Sequence, residues 1–278
     1  MVVKQIYLKD YFPELGKEGC NAYVDCYIPK PMEEMVLEKD TFPCLVICPG
    51  GGYGMVSERE AEMIGLQFFS EGYRVFVVHY SVAPHRFPQQ LREVAGAMEI
   101  LHMHADEWKC DTENVAIMGF SAGGHLACQY SNRYNCPEIR EIFPESKPVQ
   151  KAILSYPVIT QVKPYSHEGS FINLLGYAPE TPEEEGCSCE LLVTENTPPT
   201  FLWHTAEDAV VPVENSLIYA GALAAKKVPF ELHIYPFGWH GLATVDSLTC
   251  VGLNEKVKHV HQWIEDCKKW WKMMDCAN

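Results

Sequence analysis

From Pro43 onward, short apolar runs take turns with longer helix-period runs, and that order limits the fold of this 278-residue chain more than any other feature. The short runs fall at 43–48, 74–79, 115–118, 151–155, 200–204 and 230–235, punctuated by Gly, Pro or Asn as strands are. The longer runs fall at 58–71, 89–104, 122–134, 213–227 and 254–274. Successive parallel strands need a crossover, so the alternation predicts a mostly parallel sheet with helices on both faces. The runs ahead of Pro43, 22–28 among them, are joined without an evident helix and are expected as antiparallel edge strands. In 254–274, Val257, Val260, Ile264 and Trp271 return at helical spacing, the pattern of an amphipathic helix that closes a domain. A hydrophobic fraction of 47% suffices for a full core, and one domain spanning 1–278 is expected.

The rhythm breaks at 157–199, a stretch that is long, proline-containing and acidic around Glu183-Glu184-Glu185. A bare loop of that length does not suit a compact domain, so short helices are expected there, in a position to cover a site. The three glutamates read as a solvated helix start.

One strand-to-helix junction carries chemistry. Val115-Ala116-Ile117-Met118 runs into Gly119-Phe120-Ser121-Ala122-Gly123 and then into a helical pattern. A Gly-x-Ser-x-Gly in that setting is a nucleophile elbow, where small residues two places either side of the serine relieve contact between strand and helix backbones. Five residues alone fit a plain glycine turn equally well, so the surroundings decide. A serine hydroxyl is a poor nucleophile until a base takes its proton, and the base needs an acceptor to hold its tautomer. Asp208 follows the run 200–204, and His240 follows the run 230–235, which gives the order Ser, Asp, His. Glu207 is the neighbouring alternative, but Asp208 with Val211-Pro212 fits an Asp-x-x-Val-Pro turn. His204 is expected to pack in its strand, and His125 to run along the new helix as a buried polar residue. His102 with His104, and His259 with His261, lie two apart on helices and cannot share a face as metal ligands would.

Charge that develops on a substrate oxygen needs two donors aimed at it. The amide of Ala122 is one candidate. Pro49-Gly50-Gly51-Gly52-Tyr53, directly after the run 43–48, supplies the other, because consecutive glycines let a backbone N–H approach without a side chain in the way. Gly51 and Gly52 are equal candidates. Tyr53 and Trp239 flank this loop and the candidate base, where they either stack on a sugar ring or pack the pocket wall.

The net charge of −15 is spread along the chain with no basic cluster, which disfavours nucleic acid or an anionic membrane as partner. The twelve cysteines lie largely within apolar runs; Cys44 and Cys48 share one strand, Cys187 and Cys189 lack zinc spacing, and reduced buried thiols are expected. The first ten residues, broken by Lys4, Lys9 and Asp10, lack the apolar stretch of an export signal, and a cytoplasmic location is expected. Oligomeric state is left open, a homodimer included.

Pro49-Gly50-Gly51-Gly52-Tyr53 with Ser57-Glu58-Arg59-Glu60-Ala61-Glu62, then Gly119 to Ala127, Thr197 to Asp208, Val211-Pro212 and Gly238-Trp239-His240-Gly241 resemble the α/β-hydrolase superfamily. More narrowly they are similar to bacterial esterases of the acetyl xylan esterase and acetyl esterase type, from about Pro43 to the end. The resemblance implies an α/β-hydrolase fold and a Ser121-His240-Asp208 triad without metal or organic cofactor. It also implies a small-molecule substrate, an acetylated sugar or xylo-oligosaccharide, deacetylated through an acyl-enzyme. Pro49 stands where related lipases carry His before their glycines; backbone donors survive that change, but lipase substrate habits do not transfer. A prolyl-oligopeptidase-like peptidase would share the triad order, yet only a few dozen residues precede the first core strand. A non-catalytic binding protein on this fold would be expected to lack a triad member, and none is missing.

Overall fold

The chain was analysed as a computed structural model that describes residues 1–30 and 41–276. Strand β3 (Phe42–Cys48) shows how its core is organised. Cys44, Val46 and Cys48 belong to one apolar cluster and Leu45 and Ile47 to another, because successive strand side chains point to opposite faces. The helices Gln89–Met103, Ala122–Arg133 and Glu214–Ala225 bring Val94, Leu126, Tyr130 and Leu223 to the first cluster. Glu62–Phe69 and Trp263–Cys276 bring Ile64, Phe68, Ile264 and Trp271 to the second. A strand buried on both faces reads as a continuous apolar run, as 43–48 does.

The other strands are β1 (Val2–Tyr7), β2 (Tyr23–Ile28), β4 (Arg74–His79), β5 (Cys110–Phe120), β6 (Lys151–Ser155), β7 (Thr200–Thr205) and β8 (Phe230–Tyr235). They form one eight-stranded sheet in the order β1-β2-β4-β3-β5-β6-β7-β8. β2 is antiparallel to both β1 and β4, and every later pairing is parallel. Among the described residues only β1 and β8 are edges, so β2, expected at an edge, has a partner on each side.

Two expected helices are interrupted. The run 58–71 is a 3-10 turn, Glu58–Glu60, followed by the helix Glu62–Phe69, with Ala61 at φ −105° and ψ −106° between them. The break turns Glu60 inward, where it is 3% exposed and accepts hydrogen bonds from Gly50 N (2.9 Å) and Tyr156 Oη (2.7 Å). The run 254–274 is divided into Glu255–Lys258, a 3-10 turn His259–Gln262, and Trp263–Cys276. Val257, Val260, Ile264 and Trp271 are nonetheless all buried together, as their spacing predicts.

The stretch 157–199 carries the helix Glu168–Leu175 and the 3-10 turns Glu184–Gly186 and Cys189–Leu192, and Glu183 is exposed to solvent. All cysteines except Cys136 and Cys276 are buried. Among the described residues no helix is long and apolar enough to cross a membrane, and no cluster of His, Cys, Asp and Glu could hold a metal. The parallel strands β3, β5, β7 and β8 end on one edge of the sheet, and Pro49, Ser121, Asp208 and His240 follow those ends, where open α/β sheets bind ligands.

Candidate active site

Ser121 links β5 to the helix Ala122–Arg133 with φ 54° and ψ −122°, a conformation that costs a non-glycine residue free energy. Its backbone is held on three sides: Ser121 N donates to Ser155 O (3.0 Å), and Ser121 O accepts from Val158 N (3.0 Å) and His125 N (3.1 Å). The turn closes tightly enough that a Cβ on Gly119 would stand 2.2 Å from Gly123 O, and one on Gly123 2.1 Å from Cys48 O. The sequence rule of small residues around the elbow therefore has a steric basis in both directions.

His240 Nε2 lies 2.8 Å from Ser121 Oγ, and His240 Nδ1 lies 2.6 Å from Asp208 Oδ2. Asp208 is 7% exposed and saturated with donors: Oδ1 accepts from Val210 N and Val211 N, each at 2.9 Å, and Oδ2 also faces His204 Nε2 at 3.3 Å. Burial alone would raise its pKa, but the hydrogen bonds from His204 and His240, the charge on His240 and the Val211 amide outweigh it. They hold the carboxyl well below the usual range. An ionised carboxylate only accepts, so His240 Nδ1 carries the proton and Nε2 is free to take one from Ser121.

His204 is more than strand packing. Its Nε2 faces two acceptors, Asp208 Oδ2 and Val211 O (3.0 Å), so the proton resides there and Nδ1 accepts from Ser216 Oγ (2.8 Å). Glu207 accepts from Gly238 N at 3.3 Å, whereas the carboxylate hydrogen-bonded to His240 is that of Asp208. His125 is fully buried, as its position on the helix suggested, and burial pushes its pKa down to about 4.

The glycine loop is fastened at almost every polar backbone atom. Tyr80 Oη donates to Pro49 O (2.6 Å), Ser57 N to Gly50 O (3.0 Å), Gly54 N and Met55 N to Gly51 O (3.0 and 3.1 Å), and Asn173 Nδ2 to Gly52 O (2.9 Å). Gly50 N is taken by Glu60. Among the described residues the amides of Gly51 and Gly52 have no partner, and both residues line the same cavity as Ser121 and His240. The amide of Ala122, first in its helix, has no carbonyl one turn back to bond.

That cavity, 650 Å³ in volume, has an apolar part formed by Met55, Val56 and Val210 and a polar part formed by Ser57, Glu58, Arg59, Glu60 and His167. Sequence reasoning missed His167, Glu60 and His204. It also offered Tyr53 as a ligand contact, which the structure corrects. Tyr53 is 1% exposed, its hydroxyl donates to His125 Nδ1 at 2.7 Å, and burial against Tyr80 and His125 withdraws the ring from the cavity. Trp239 is 39% exposed beside His240 and is not among the cavity-lining residues.

Strand order and a serine of this geometry after β5 make the chain an α/β-hydrolase. It belongs to the BD-FAE family, a family of α/β-hydrolase esterases whose sequence profile matches residues 24–223. The crystal structure of an acetyl ester-xyloside bifunctional hydrolase from Caldicellulosiruptor lactoaceticus has a TM-score of 0.82 at 33% identity, covering 98% of this chain and 96% of that one. An acetylxylan esterase of Xylanibacter ruminicola is 29% identical over 276 residues, 95% of this chain and 50% of its own length. An endo-1,4-β-xylanase B of Butyrivibrio fibrisolvens is 39% identical over 215 residues, 73% of this chain and 33% of its own length. The chain thus spans a third to a half of the length of these two curated relatives.

Proposed function

We propose that this chain is a serine esterase that removes short acyl groups, acetyl above all, from sugars or xylo-oligosaccharides, acting as one domain over 1–278. The observation that carries this reading is the continuous hydrogen-bond chain from Ser121 Oγ through His240 to Asp208. Ser121 Oγ attacks the ester carbonyl while His240 Nε2 takes its proton; the amides of Ala122 and of Gly51 or Gly52 hold the oxyanion. His240 then gives the proton to the leaving alcohol, and the acyl-enzyme remains. Water, deprotonated by the same nitrogen, attacks the acyl carbon and releases acid and Ser121. Asp208, fixed as an anion, orients the imidazole and stabilises it when charged.

Met55, Val56 and Val210 are the apolar surface we assign to a small acyl group, and the half-exposed Trp239 the aromatic surface we assign to the sugar at the rim. The named activities of the relatives support a sugar ester as substrate. The buried thiols support a reducing compartment, the cytoplasm. Turnover of p-nitrophenyl acetate by wild type and Ser121→Ala tests the mechanism: a loss of about 10³-fold or more is expected, and undiminished activity in the variant would sink it. An acetyl-to-octanoyl series tests the acyl assignment, with the maximum expected at acetyl.

A further inference from the structure

His167 stands just ahead of the helix Glu168–Leu175 and lines the same cavity as Ser121 and His240. It sits across from the glycine loop: a Cβ on Gly52 would lie 3.9 Å from His167 Cε1. Its Nδ1 is held at 2.8 Å by the Oγ of the fully buried Ser170, which fixes the ring. Among the described residues Nε2 has no hydrogen-bond partner. Burial first, and the nearby His240 second, hold the pKa of His167 below the ordinary histidine value against the opposing pull of Asp208. The ring is therefore neutral at neutral pH and does not select an anion; it matches a hydroxyl. Glu58 and Arg59 also line the cavity but are exposed and free to turn into solvent, whereas the half-buried His167 is held by Ser170, so its Nε2, open to water in the cavity, offers a ligand a fixed partner.

An acetyl group offers no hydrogen-bonding atoms beyond the ester oxygens already engaged by the loop amides and His240. A substrate group that replaces water at His167 therefore comes from the alcohol. We propose that His167 is a specificity-determining residue whose Nε2 bonds a hydroxyl next to the acylated one, so that the site favours esters of vicinal diols, as in a sugar ring, over esters of simple alcohols. This rests on the esterase reading above and specifies the alcohol.

The test compares a methyl xyloside monoacetate bearing a free neighbouring hydroxyl with its deoxy analogue, and uses p-nitrophenyl acetate as a separate measure of esterase activity. In wild type the kcat/KM ratio of hydroxy to deoxy ester is expected to reach about tenfold or more, the size of one well-placed hydrogen bond. In His167→Ala the ratio is expected to fall to about one, and His167→Gln, which restores a polar group near Nε2, to recover part of it. The ratio is internal to each variant, so partial misfolding does not alter it; His167→Phe, which fills the space without a donor or acceptor, repeats the measurement if the Ala variant is inactive. A ratio that survives in His167→Ala, or in His167→Phe where that variant replaces it, or no preference in wild type, overturns the proposal. Wild type that cleaves p-nitrophenyl acetate but neither xyloside overturns the sugar-ester reading and this proposal with it. Wild type that cleaves none of the three overturns the esterase reading itself.

Discussion

Removing one buried oxygen, by Tyr53→Phe, asks whether that ring serves the framework or the ligand. His125 Nε2 lies 2.7 Å from Cys187 O, a pure acceptor, so Nε2 carries the proton and Nδ1 must accept. The Tyr53 hydroxyl, 2.7 Å away, is the donor that meets it. The substitution keeps the ring but leaves a fully buried acceptor unmet, a cost of about 1–3 kcal/mol. At roughly 2–4 °C per kcal/mol for a chain of this size, a mid-range loss lowers the melting temperature by about 4–8 °C. Thermal melts at pH 8, where His125 is neutral in both folded and unfolded chains, measure it. Turnover of acetyl esters is expected to fall by one common factor whatever the alcohol, because the disturbance enters through the glycine loop. An unchanged melting temperature with a rise in KM confined to sugar esters would refute the reasoning and return Tyr53 to the ligand.

Glu93 is buried, and burial raises its pKa to about 7 against hydrogen bonds from Ser81 Oγ, Ser81 N and Gln89 Nε2, whereas the unfolded residue titrates near 4.5. A raised folded pKa means that the stabilisation is whole below about pH 4.5 and is lost as pH climbs through about 7, roughly 3 kcal/mol in all. Glu93→Gln is therefore expected to be the more stable protein at pH 8 by urea unfolding, and an identical pH slope in both proteins would contradict this. His204→Phe removes one donor from Asp208 and is expected to lower kcat about tenfold with little change in KM, while His204→Gln regains part of it; steady-state kinetics decide, and an unaltered kcat speaks against the role. Gly51→Ala places a Cβ 2.1 Å from Met55 O at a φ of +119°, so turnover is expected to drop by at least about 100-fold; a fully active alanine variant would mean that this loop does not hold the oxyanion.

The sheet and its parallel core were legible because each strand–helix unit announces itself over a dozen residues of pattern. The meeting of Ser121, Asp208 and His240 in space was legible because each stands right after a strand at one edge of the sheet. What escaped notice depends on contacts between segments far apart in the chain. Glu60 is one of several charges in Glu58-Arg59-Glu60-Ala61-Glu62 within the run 58–71, expected as one helix, and only beside the break at Ala61 does it face Gly50 and Tyr156. A tyrosine beside a glycine loop has the same local sequence whether it faces solvent or core, so Tyr53 could not be read without its partner His125, 72 positions on. His167 sits in a stretch without period, and β1, with Lys4 and Gln5 at its centre, lacks the apolar signature of the inner strands.

The turn that follows β3 is pinned through its own peptide groups: Met55 N grips Gly51 O, a bond indifferent to what side chain residue 55 carries. Met55 and Val56 also line the cavity beside Ser121. Drift or deliberate mutation at these two positions can reshape the cavity wall, the acyl space of the proposed mechanism, while the backbone bonds of the loop are inherited intact. In the proposed mechanism selectivity and rate thus occupy different residues of one turn, which gives a single framework a route to many esters without relearning its chemistry each time.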